Sequence, residues 1–240
     1  TVRDGEVQSY AVLTVDSLTI SDATTSVTLG GVLTADGAVD IDSGGTIAIN
    51  AAINTNSSAS GTVAIDGTGT TTIAAAGDIN AGGAVSFGAA KSGTLTTSGD
   101  IVTSNDNITF TQAVTLGGNV DIDTTGASAG NILFSSTIAT AGNNLTLDAG
   151  TAGNVTLSGN LTGKGAMTVR DGAVQSYQVL TLGSLTISDA TTSISFNAIT
   201  ATGNMNVISG GSLTQSAAFD IDGTTTLKQT LDVTGVTTVG

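Results

Sequence analysis

The residues best placed to do chemistry are aspartates in alternating pairs. Asp40-Ile41-Asp42, Asp121-Ile122-Asp123 and Asp220-Ile221-Asp222 repeat one pattern, and Asp66-Gly67 adds a fourth acidic position. In an extended strand, residues i and i+2 share a face. Each triplet therefore turns two carboxylates outward and its isoleucine inward. Paired carboxylates can contribute to a Ca²⁺ site, which takes about six to eight oxygens. Asp40, Asp42, Asp121, Asp123, Asp220 and Asp222 are the calcium candidates of the chain on that ground. Neither the calcium-binding nonapeptide repeat nor an EF-hand loop accompanies them. The preferred reading is a solvated acidic surface that keeps a repetitive protein soluble and its sides apart, with no cofactor.

Other chemistry finds few candidates. The chain has no His and no Cys, so the usual proton shuttle near neutral pH and all thiol chemistry are missing. No catalytic residue is assigned, and an enzyme is not expected. Net charge is −14, and the five basic residues, Arg3, Lys91, Lys164, Arg170 and Lys228, are scattered. Without a basic face, neither nucleic acid nor an anionic membrane surface is an expected partner. No apolar run is long enough to insert in a bilayer as a helix. Asn56, Asn107, Asn144, Asn154 and Asn160 fit N-x-[ST], a match expected by chance in a chain rich in these residues. Arg3-Asp4-Gly5 and Arg170-Asp171-Gly172 read as a turn with a local ion pair. Outward positions alternate Thr, Asn, Ser and Asp, which serves β-propensity and solubility.

The elements that carry these residues follow from composition and period. Hydrophobic residues are 39% of the chain, but aromatics only 3% and charged residues 10%, with 33 Gly and no Pro. That inventory suits a narrow core of Val, Ile, Leu and Ala. Apolar-x-apolar triplets fall at Val63/Ile65, Val85/Phe87, Ile108/Phe110, Ile132/Phe134 and Val155/Leu157, with spacings of 22, 23, 24 and 23. Alternation of this kind specifies strands with one face buried. Gly, Asn, Asp and Ser bound the triplets and suit tight corners. Phe87, Phe110, Phe134, Phe196 and Phe219 occupy inward positions of these triplets. The sequence therefore predicts an all-β, right-handed parallel β-helix, with coils of about 23 residues. About ten coils at ~4.8 Å each would form a rod near 50 Å long.

A longer repeat overlies the short one. Thr1–Ser26 recurs at Thr168–Ser193, an offset of 167, with four differences: Glu6/Ala173, Ala11/Gln178, Val15/Leu182 and Asp16/Gly183. Tyr10 and Tyr177 are equivalent positions, which suits a structural role. Seven coils approximate the offset. The chain reads as one continuous solenoid segment over 1–240, with a long unit at 1–167 and a second, partial copy at 168–240. Thr1 and Gly240 both fall inside repeats, so the chain reads as an excerpt of a larger repetitive protein.

Segments such as VTLGGNVDIDTTGASAGNILFSSTIATAGNNLTLDAGTAGNVTLSGNLTG (114–163) resemble the filamentous-haemagglutinin-type repeats of giant bacterial adhesins. The resemblance covers the whole chain, in composition and repeat style. It implies a right-handed β-helix, secretion to the cell surface, and a role as the stalk of an adhesin that extends or displays adhesive elements. Two other readings stay open. One is a subunit of a self-assembling extracellular filament or surface layer. The other is a solenoid face that binds calcium, or a glycan of a host or neighbouring cell.

Overall fold

The computed structural model describes residues 1–3, 5–57, 59–89, 93–124, 130–208, 211–228, 231–233 and 237–239, with the backbone alone at 22, 231–233 and 237–239. Among the described residues every regular element is a strand. All strand pairings are parallel. The chain is a β-solenoid, as its triplets predict, of about eleven turns.

Each coil lays one strand on each of three faces. The first face begins with Val2–Arg3, Leu18–Ala23, Val39–Ser43 and Val63–Gly67. The second begins with Val7–Tyr10, Ser26–Leu29, Thr46–Ile49 and Thr70–Ile73. The third begins with Leu13–Val15, Leu33–Ala35 and Ile53–Asn54. Equivalent residues stack between coils. On the first face one column runs Ile20, Ile41, Ile65, Phe87, Phe110, Phe134, Leu157, Tyr177 and Phe196. Every one of these side chains is buried. Fully burying such a side chain contributes roughly 1.5–3 kcal/mol, and the column makes that gain once per coil. Phe87, Phe110 and Phe134 stack face to face, with centroids 5.1 and 4.2 Å apart and planes within 7° of parallel. Register forces this geometry, because identical rings on paired strands cannot turn edge-on to each other.

Coil length departs from the expected constant 23. Along that column the spacing is 22–24 residues between Ile41 and Leu157, but 20 from Leu157 to Tyr177 and 19 from Tyr177 to Phe196. The difference lies in the corners. In the later coils Val174–Leu182 and Ser193–Ala201 are continuous nine-residue strands. Each serves both the first and the second face and bends at one exposed residue, Gln178 or Asn197. The middle coils spend several residues at that corner, as between Val85–Phe87 and Thr94–Thr97.

The two copies of the long repeat lie on different faces. Gln8 pairs along the second face with Val27, whereas Gln175 pairs along the first with Val155 and Ile194. Seven whole coils therefore do not account for the 167-residue offset.

Corners are tight enough to fix some residues as glycine. A Cβ on Gly45 would lie 1.9 Å from the carbonyl oxygen of Thr25 in the coil below. A Cβ on Gly153 would be wedged between the carbonyl oxygens of Gly130 and Ala149, at 2.1 and 2.2 Å. Coils one strand spacing apart leave no room there.

Candidate functional site

The three Asp-Ile-Asp triplets fall on three different faces. Asp40 and Asp42 are on the first, Asp121 and Asp123 on the third, and Asp220 and Asp222 on or just beyond a strand of the second. In each the central isoleucine is buried and the aspartates reach the surface. The triplets are never brought together, so they form no common site.

Two smaller acidic groupings arise from stacking between coils. On the first face Asp66 pairs in register with Asp42, beside Asp40. Partial burial, reinforced by the negative charges of Asp66 and Asp42, raises the pKa of Asp40 above the usual carboxylate value. On the third face Asp123 stacks on Asp148, which stacks on Asp171 across a bulge. Asp121 lies on the same strand as Asp123, one outward position away. Burial raises the pKa of Asp121 first, and Asp100 and Asp123 add to the rise. Arg170, 2.9 Å away, works in the opposite direction and does not cancel it. Asp148 and Asp171 are also raised, again chiefly by burial. Among the described residues, no three carboxylates converge in a way that could hold a metal ion.

Arg170 does not make the local ion pair expected of Arg-Asp-Gly. It is the extra residue of the bulge opposite Leu147 and Asp148, and it reaches two coils back to Asp121. Asp171 instead accepts the Gly172 amide at 3.1 Å, closing the turn. Both partners of the ion pair are substantially exposed, which puts its worth at about 0–1 kcal/mol. In the first copy, Asp4 lies outside the described residues.

The side chains with the clearest positional role were not singled out for it in the sequence. Asn107 accepts the Asn131 amide through Oδ1 at 2.8 Å, Asn131 accepts that of Asn154 at 2.9 Å, and Asn154 accepts that of Val174 at 3.2 Å. A parallel ladder has Asn119 accepting from Asn144, and Asn144 from Ala166. Aspartates do the same where Asp78 accepts from Asp100, and Asp100 from Asp121. Each side chain supplies an acceptor for a backbone donor in the next coil at a corner, where an unmatched amide would be costly. Asn107, Asn144 and Asn154 are thus structural, and their N-x-[ST] matches follow from asparagine at a corner followed by an apolar-Thr-apolar strand. The signal available in the sequence was their recurrence at coil spacing, 24 and 23 residues for Asn107, Asn131 and Asn154.

The outward surface also differs from the mixed one expected. The middle row of the second face reads Ser9, Thr28, Ala48, Thr72, Thr96, Thr115, Ala139 and Thr162, then Thr181, Thr200 and Asp220. Beside it, the hydroxyls of Thr70 and Thr94 lie 3.2 Å apart. The second face is thus a nearly uncharged hydroxyl stripe, while the carboxylate pairs gather on the first and third.

The largest cleft described near the acidic rows is shallow, about 290 Å³, and is lined by Asp100, Asn119, Val120, Asp121, Asn144 and Thr146. It lies where the aspartate row meets an asparagine ladder, so most of its polar groups already serve the coil-to-coil bonds. No helix among the described residues is long and apolar enough to cross a membrane. No known protein family, characterised protein or solved structure matches the chain.

Proposed function

We propose that this chain is a structural rod segment of a secreted bacterial surface adhesin, which extends or displays adhesive elements carried elsewhere in a larger protein. The observation that carries this reading is the uninterrupted parallel pairing of coils around one columnar core. Each coil is held by its neighbours, so the assembly can lengthen by repetition without redesign. A surface of short polar side chains at net charge −14 favours solubility over lateral aggregation. The reading assigns no catalytic step and no cofactor to the chain. It places the protein outside the cell, and a host or neighbouring-cell surface is the partner of the whole adhesin.

Electron cryo-microscopy of the native protein on its cell surface tests this reading. Thin, separate rods tethered at one end are the expected result. Ordered polymers with regular axial or lateral contacts would replace the stalk by a filament subunit.

A further inference from the structure

The long repeat is not a whole number of coils. Val2–Arg3 is the first strand and Ala166–Asp171, which holds the matching Val169 and Arg170, is the twenty-fourth. The second strand, Val7–Tyr10, matches residues 174–177, which open the twenty-fifth. Every match is 23 strands apart, and three strands make a coil. The repeat therefore advances the chain by seven coils and two thirds.

The pairings show the same shift at each step. Val2 lies on the first face and Val169 on the third. Gln8 lies on the second and Gln175 on the first. Leu13 lies on the third and Leu180 on the second. Local structure survives the change. Tyr10 donates to Gln8 Oε1 at 2.6 Å, and Tyr177 donates to Gln175 Oε1 at 2.9 Å. Val7 and Val174 are both exposed apolar residues, at 65% and 37%, yet one looks out from the second face and the other from the first.

We infer that the building unit of this solenoid is the strand with its corner, not the coil, and that the long repeat is indexed by one third of a turn. A pattern of outward residues written once in the repeat is presented in a new direction by each copy. In a tandem array the original direction returns after three copies, or 23 coils, roughly 110 Å along the axis at ~4.8 Å per coil. A binding partner that recognises the repeat thus meets it on all three sides of a rod, and neighbouring copies do not compete for one side. The geometry holds whether or not the rod belongs to an adhesin.

Disulfide trapping in the full chain tests the indexing, and the absence of native Cys leaves a clean background. Thr156→Cys with Ser176→Cys joins outward residues paired on the first face. Thr162→Cys with Ser176→Cys joins the pair that whole-coil register would bring together on the second face. Thr72→Cys with Thr96→Cys, neighbours on the second face outside the matched segments, is the control. The expected result is near-complete oxidation of the 156/176 pair and of the control, with at least tenfold less of 162/176. Closure of 162/176 in preference to 156/176 would overturn the inference. So would closure of the control alone.

Discussion

At the scale of single residues, the corner asparagines hold successive coils in register. Asn131 both accepts the Asn154 amide and donates its Nδ2 to Asn107 at 3.1 Å. Asn131→Ala should cost about 1 kcal/mol, the net worth of an ordinary hydrogen bond or slightly more. Asn131→Asp keeps the acceptor and should lie nearer the parent, as Asp78 and Asp100 already demonstrate in the same kind of position. Amide hydrogen exchange separates the two, since the Asn154 amide should lose protection in the alanine variant and keep it in the aspartate one. Unchanged protection in both would remove the ladder from the list of stabilising features. These residues show where sequence reading fell short. An asparagine followed by an alternating Thr strand looks like a common tripeptide until its partner, 23 or 24 residues away, is known to lie beside it. Arg170 was obscured for the same reason, because its partner Asp121 is two coils distant.

At the scale of strands, the alternation of apolar and polar residues was legible throughout. The phenylalanines assigned inward at Phe87, Phe110, Phe134, Phe196 and Phe219 are all buried. The corners were less legible, because a corner can take one residue at Gln178 or several after Phe87, and composition is similar in both. Hence the 23-residue period describes the middle of the chain and overstates its later coils. Inward polar residues were also hidden by the pattern. Gln175 is fully buried and donates from Nε2 to the carbonyl of Asp189, a bond no local motif announces. The aromatic stack offers the sharpest test at this scale. Phe110→Ala opens a cavity between two flanking rings and should cost about 3–5 kcal/mol, read from denaturant unfolding. Phe110→Leu should recover much of that loss, since Ile65 and Leu157 fill the same column elsewhere. A loss below 1 kcal/mol in the alanine variant would mean that the coils collapse to fill the gap.

At the scale of the whole molecule, charge opposes folding. Asp40, Asp121, Asp148 and Asp171 all have pKa values raised in the folded chain, mainly by burial. A carboxyl group with a raised folded pKa binds its proton more tightly folded than unfolded. Its penalty is fully present above the folded pKa and disappears as pH falls through that value toward the ordinary carboxylate pKa of about 4. Thermal stability should therefore rise as pH is lowered from 7 toward about 4–5, against the usual trend for proteins held by paired carboxylates. A Tm that falls steadily over that range would show that the carboxylates are net stabilising, through bonds such as those of Asp78 and Asp100 to the next coil. Added salt should raise Tm at pH 7 by screening like charges, and should do less at pH 4–5.

The direction of the backbone bonds has a mechanical consequence. In a parallel solenoid the bonds between coils run along the axis, so a pull on the two ends loads them in line, one coil boundary at a time. Such a rod should open like a peeled ribbon, at low force, and not shear apart at once. Each released coil would add its own contour length, roughly 60–90 Å at ~3.5 Å per residue, in steps as uneven as the coils themselves. Single-molecule stretching should record a long, shallow series of unequal steps, and a single high-force rupture would contradict it. A tether with that response lengthens under load and re-forms when slack, dissipating tension that a stiff link would pass on to whatever it holds.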